Sequence, residues 1–155
     1  MSTRFENWSL PPARFAEVSL EARLSKLIEQ ADHCLETPDP DAVHDLRVAI
    51  RRFSQALRIF RQLLDAKALQ HMRRALRRVM DAAATVRDLD VGMERLIGEG
   101  LPEDHAVIEE MRSERRRGEL ALRGWLFVLK SDEPQSAWRA CLAPRPAKGA
   151  GARAS

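Results

Sequence analysis

His44, Arg47, Arg51 and Arg58 recur at intervals of three, four and seven residues, and that spacing places all four on one side of an α-helix. At 1.5 Å per residue the row is about 21 Å long. Its chemistry is that of hydrogen-bond donation to oxyanions: guanidinium is a rigid planar fork that pairs two donors at a time with carboxylate or phosphate oxygens. A small phosphorylated metabolite needs such groups to converge on a point, whereas an extended anion can use them in series.

More arginines follow along the chain. Arg73, Arg74, Arg77 and Arg78 form two pairs one helical turn apart, Arg87 sits in the segment Val86-Arg87-Asp88-Leu89-Asp90-Val91, and Arg115 is flanked by Arg116 and Arg117. Arg115 falls on an apolar stripe, where a charge must either find a partner or line a wet groove. An ion pair to Asp88 or Asp90 is the structural reading and an anion contact the functional one.

The charge distribution supports a polyanion partner and leaves a plainer alternative open. Among 155 residues there are 22 Arg against 4 Lys, and the stretch from His44 to Arg78 carries a local charge of +8 within a chain of net +3. A concentrated field of one sign suits a polyanion. A solvated face neutralised by acids of neighbouring helices would carry the same residues.

Other chemistry lacks its parts. No glycine-rich phosphate loop, GxSxG or HExxH is present, and His33, His71 and His105 have no metal-ligand spacing, so neither a catalytic site nor a metal site is expected. Asp88 and Asp90 project from different sides of a helix and read as holders of arginine. Trp8, Trp125 and Trp138 are too dispersed for a base-stacking platform, which makes nucleic acid a less favoured partner. Cys34 and Cys141 are far apart and read as free thiols, and no segment is long and apolar enough to span a bilayer, so a cytoplasmic protein is expected.

The elements that position these residues are helices. Hydrophobic residues make up 45%, aromatics only 5%, tyrosine is absent, and the first glycine is Gly92. The apolar spacing predicts helix 1 from Pro12 to Leu35. Helix 2 follows an Asp39-Pro40-Asp41 start, with Val43, Leu46, Ile50, Phe53, Leu57, Phe60 and Leu64 as its seam. A new start at Asp65 opens helix 3, which runs through Leu69, Met72, Leu76, Val79, Ala83, Val86, Val91, Met93 and Leu96 to the Gly98–Gly100 region. Pro102 opens helix 4, whose stripe is Ile108, Met111, Leu122, Trp125 and Leu129. The expected fold is an all-α, antiparallel up-and-down four-helix bundle over residues 12–142. A short helical piece from Gln135 to Leu142 ends it, with an N-terminal segment at 1–11 and a disordered tail at 143–155.

The segment Val43-His44-Asp45-Leu46-Arg47-Val48-Ala49-Ile50-Arg51-Arg52-Phe53 resembles the first signature of the CHAD domain, a helical family marked by its histidines, and VRDLDV at 86–91 resembles a second. Glu114-Arg115 is similar to a third. The resemblance implies binding of inorganic polyphosphate by basic residues, without catalysis, and an association with polyphosphate granules. Carried over by position, it marks His44, Arg47, Arg51, Arg52 and Arg58, then Arg87 and Arg115; Arg73 and Arg77 join them from the charge pattern. Ser54 stands where the family often has another base. The resemblance covers roughly residues 12–142, about the first of the family's two similar halves, which leaves two readings: a homodimer that restores a two-half cavity, the one favoured, or a truncated relic that binds weakly or not at all. Nonspecific binding to a nucleic-acid backbone and a helical protein-interaction module are the alternatives.

Overall fold

The structure is a computed structural model that describes residues 11–143, with the side chains of 132–134 left aside. The terminal segments expected at 1–11 and 143–155 lie, apart from their innermost residues, outside the described residues. Five helices follow one another: α1 (Pro12–Glu36), α2 (Pro40–Ile59), α3 (Ala66–Gly98), α4 (Ala106–Lys130) and α5 (Asp132–Leu142). A 3-10 turn, Arg61–Leu63, links α2 to α3, and no strand occurs among the described residues. The chain is all-α there, and none of those helices is long and apolar enough to cross a membrane.

Local chemistry sets the ends. Asp39 Oδ1 accepts from the Ala42 amide at 2.8 Å, and Pro40 occupies the first helical position, where its missing N–H is no loss. Asp65 Oδ1 accepts from the Ala68 amide at 3.0 Å and restarts the helix after Phe60 has turned out of it. α3 ends where Gly100 takes a φ of +101°, a backbone state that glycine reaches without a Cβ clash.

The fourth helix starts later than expected. Pro102 opens a turn instead, its carbonyl accepting from the His105 amide at 3.1 Å, and α4 begins at Ala106 with His105 Nδ1 accepting from the Val107 amide at 3.2 Å. Proline presets φ but offers no side-chain acceptor to cap the free amides of a first turn.

Each helix packs on the next in sequence, and α4 also meets α1, so α2 and α4 stand diagonally across the core. Leu20, Leu24 and Leu27 of α1 meet Leu46, Ile50, Phe53 and Leu57 of α2, with Met72, Leu76, Val79 and Val86 from α3 and Leu122 and Leu126 from α4. α5 closes one end: Trp138 is buried and stacks on Phe53 with ring centroids 6.3 Å apart.

Two seam expectations shift. Leu126 is buried in α4, and Trp125 is pushed out to 36% exposure, because a straight helix drifts about 20° per heptad and Leu126 lies five whole turns beyond Ile108. In α3, Val91 is 43% exposed while Asp90 occupies the inward position.

Cys34 sits in the core, where burial pushes its thiol up from 9.0 to about 11; the charges of Arg123 and Arg115 oppose the shift and that of Glu119 adds to it, all more weakly. The folded thiol therefore keeps its proton where the unfolded chain loses it, so its contribution is whole below pH 9 and fades as pH climbs toward 11. Chemical denaturation across that range should show wild type losing more stability than Cys34→Ala; equal losses would contradict the burial of the thiol.

Candidate functional site: the cationic face of α2 and α3

The seam of α2 faces the core, and the expected arginine row rises from one edge of it. His44, Arg51 and Arg58 are exposed and Arg47 is half-buried. Because α1 lies on the opposite flank of α2, helical phase turns this row toward the α3 side. On α3 the same reasoning puts Arg73, Arg77 and Arg87 on the flank nearer α2, since Arg74 and Arg78 face α4.

None of these seven side chains has a hydrogen bond or ion pair among the described residues. The ion pairs among the described residues lie elsewhere: Arg14–Glu17 and Lys26–Glu29 on α1, Arg139–Glu21 between α5 and α1, Lys130–Asp32 between α4 and α1, Arg95–Glu99 at the end of α3, Arg115 with Asp90 and Glu119, and Arg112, Arg117 and Arg123 with acids in or just before α4. The acids of the chain thus neutralise α1 and α4 and leave α2 and the first half of α3 uncompensated. Arg61, from the 3-10 turn, extends the row past Arg58: the two line a small groove of about 330 Å³ with Ile59 and Gln62. Sequence reading missed Arg61, although its interval of three from Arg58 continues the pattern.

Arg52 is not on that row. It lies on the other flank of α2 and, with Arg23, Lys26, Gln30 and Asp45, lines a groove of about 610 Å³ between α1 and α2. The basic residues of α1 were also missed, for only the packing of α1 on α2 brings them beside Arg52. Arg74 and Arg78 occupy a third place, a groove of about 230 Å³ between α3 and α4 in which the Arg78 guanidinium lies 5.0 Å from the Trp125 ring centroid.

Arg115 requires a correction. Its Nε donates to Asp90 Oδ1 at 2.6 Å, its Nη1 to Glu119 Oε2 at 3.0 Å, and its Nη2 to the Pro38 carbonyl at 2.7 Å. The side chains of Arg115 and Asp90 are only 16% and 5% exposed. Burial opposes the charge on Arg115, and the hydrogen bond and charge of Asp90, with Glu119 behind them, outweigh it and raise the guanidinium pKa. A guanidinium held on three sides by its own protein is a structural clamp and not an anion ligand. Asp90, rather than Asp88, is its partner; Asp88 is exposed.

The arrangement can attract and align an extended polyanion on a row of free donors. No three metal-ligating side chains cluster among the described residues. Compared with known proteins, the chain matches the family model described as the CHAD domain over residues 18–155, and no curated protein or solved structure matches.

Removing one partner of a buried pair leaves the other charge stranded, at a cost of about 3–5 kcal/mol. Arg115→Ala should lose that much stability in urea denaturation, and adding Asp90→Leu to Arg115→Met should recover most of it. Anion binding by the folded Arg115→Met, Asp90→Leu protein should stay within about twofold of wild type.

Proposed function

The chain belongs to the CHAD domain family, and from that premise we propose that it is a non-catalytic binding module for inorganic polyphosphate. The family is known for binding this polymer, and the free cationic row is what supports the reading in this chain. Polyphosphate carries a negative charge at every unit of a linear backbone. His44, Arg47 and Arg51 present donors at successive turns of α2, with Arg58 two turns further on, each able to take a phosphate oxygen along the polymer by a charge-assisted hydrogen bond.

The proposal includes the antiparallel up-and-down order of α1 to α4, which sets Arg58 near Arg73 at the turn and His44 near Arg87 at the far end. Two parallel lines of donors then flank one strand, their axes 8–10 Å apart as packed helices usually are. Arg52, across α2, takes a strand that leaves the row over the helix. The polymer is read as bound and not cut: metal-assisted hydrolysis needs several carboxylates beside the anion, whereas Asp45 faces the α1 groove and Asp90 is held by Arg115, which leaves exposed Asp88 as the carboxylate next to Arg87. Cytoplasmic polyphosphate granules are the location this reading assigns.

Affinity for long-chain polyphosphate, followed by fluorescence anisotropy, should fall steeply with salt. Arg47→Gln with Arg51→Gln should weaken it about tenfold, close to 1.4 kcal/mol, without loss of helicity. Tighter binding of duplex DNA at matched charge concentration would reject polyphosphate as the ligand, and unchanged binding by the double variant would reject the α2 row.

A further inference from the structure

The second half of α4 has the wrong surface for a helix facing water. From Leu120 to Leu129, nine of ten residues are apolar or glycine, Arg123 being the exception. Leu122, Leu126 and Leu129 are buried in the core, but Leu120 is 71% exposed, Phe127 68% and Val128 55%. A helix that is apolar all round is ordinarily a buried one.

Gly124 lies between Leu120 and Phe127 on that outward side, and a mid-helix glycine weakens a helix relative to alanine. Of the three other glycines within helices, Gly98 is the last residue of α3, and two in helix interiors are accounted for by neighbours in the chain: a Cβ at Gly92 would come within 2.9 Å of Met111 Cε, and one at Gly118 within 3.3 Å of Val86 Cγ2. A Cβ at Gly124 would meet nothing within 4 Å. The space that this glycine leaves serves no packing inside the chain.

We propose that a second copy of this chain packs here, α4 against α4, about a twofold axis near Gly124. A twofold contact brings one patch against itself, and this strip is close to symmetric about its glycine. Crossed in opposite directions, the two helices set Leu120 of each copy against the Phe127–Val128 end of the other, with the glycines allowing close approach. Leu120, Trp125, Phe127 and Val128 together expose roughly 450 Å² per copy, the size of the largest patch on a typical monomer, which is often a functional one. Two copies cover about twice that, enough for the apolar part of a standard interface of 1,200–2,000 Å² that is some 65% apolar in homodimers. Of the nearby cations, Arg123 is paired with Glu119, Lys130 with Asp32 and Arg117 with Glu110, while Arg116 and the Arg78 guanidinium over Trp125 stand at the rim of the strip.

This contact does not merge two cationic faces into one cavity, since α2 lies diagonally across from α4. It is independent of the polyphosphate reading, and its response to salt has the opposite sign: salt screens the repulsion between two positively charged copies while it weakens anion binding.

Sedimentation equilibrium on the full chain tests it. Wild type should be dimeric at micromolar concentration, in high salt as well as low. Gly124→Gln should keep or raise helicity yet weaken association at least about tenfold, and Phe127→Glu should do the same to association. Both variants should bind long-chain polyphosphate through the α2 row as a single copy does. A wild-type monomer at sub-millimolar concentration would overturn the proposal, whether or not another protein covers the strip. Dimers that persist in both variants would overturn it too. Neither result would touch the anion site.

Discussion

A guanidinium withdrawn from water must find acceptors for its donors, and Arg115 finds them on three separate pieces of the chain: Asp90 of α3, Glu119 of its own helix and the Pro38 carbonyl. The last of these matters beyond its own bond. Pro38 precedes Asp39, whose carboxylate caps the first turn of α2, so the clamp ties the start of the cationic helix to the α3/α4 pair. The phase at which α2 leaves that turn decides which of its residues meet the core and which form the row of arginines. A buried ion pair contributes little net stability compared with a well-packed apolar substitute, whereas breaking it by removing one partner is strongly destabilising.

The division of charge follows from where the acids are. Glu17, Glu21, Glu29, Glu109 and Glu119 stand on α1 and α4 near cations of those helices or of α5. Between Leu46 and Leu64, by contrast, no acid occurs, so Arg47, Arg51, Arg52, Arg58 and Arg61 have no carboxylate within reach along their own helix. Water solvates them in the free protein. A ligand that brings its own dense negative charge replaces that water without first breaking an internal bond, which favours anions over partners that would have to displace existing ion pairs.

What could be read in the sequence was what short-range chemistry determines. The Asp39-Pro40 start, the restart at Asp65 and the α2 seam depend on residues within a few positions of each other; both starts are found in the structure, and so is the seam from Val43 to Leu57, whereas Phe60 and Leu64 lie beyond the end of α2 at Ile59. The row from His44 to Arg58 is found as well, because spacing alone puts those residues on one side. Arg52 and Arg115 needed knowledge of the neighbours: the same α2 surface could face α1 or α3, and whether Asp88 or Asp90 reaches Arg115 depends on how α3 is rotated against α4. The shift from Trp125 to Leu126 has a related origin, since the heptad template assumes a supercoil that these helices do not keep. Arg23 and Lys26 become part of a groove only when α1 lies beside Arg52.

The diagonal placement of α2 and α4 gives the molecule two unlike poles, one charged and one oily. Copies joined at the oily poles would point their charged poles in opposite directions, so each pair would have a valence of two and would tether separate polymer strands instead of wrapping one. Long strands tethered by divalent links form a network, and a network condenses at concentrations where single links leave the polymer dispersed. The capacity to gather polymer would then reside in the position of a helix that never touches it.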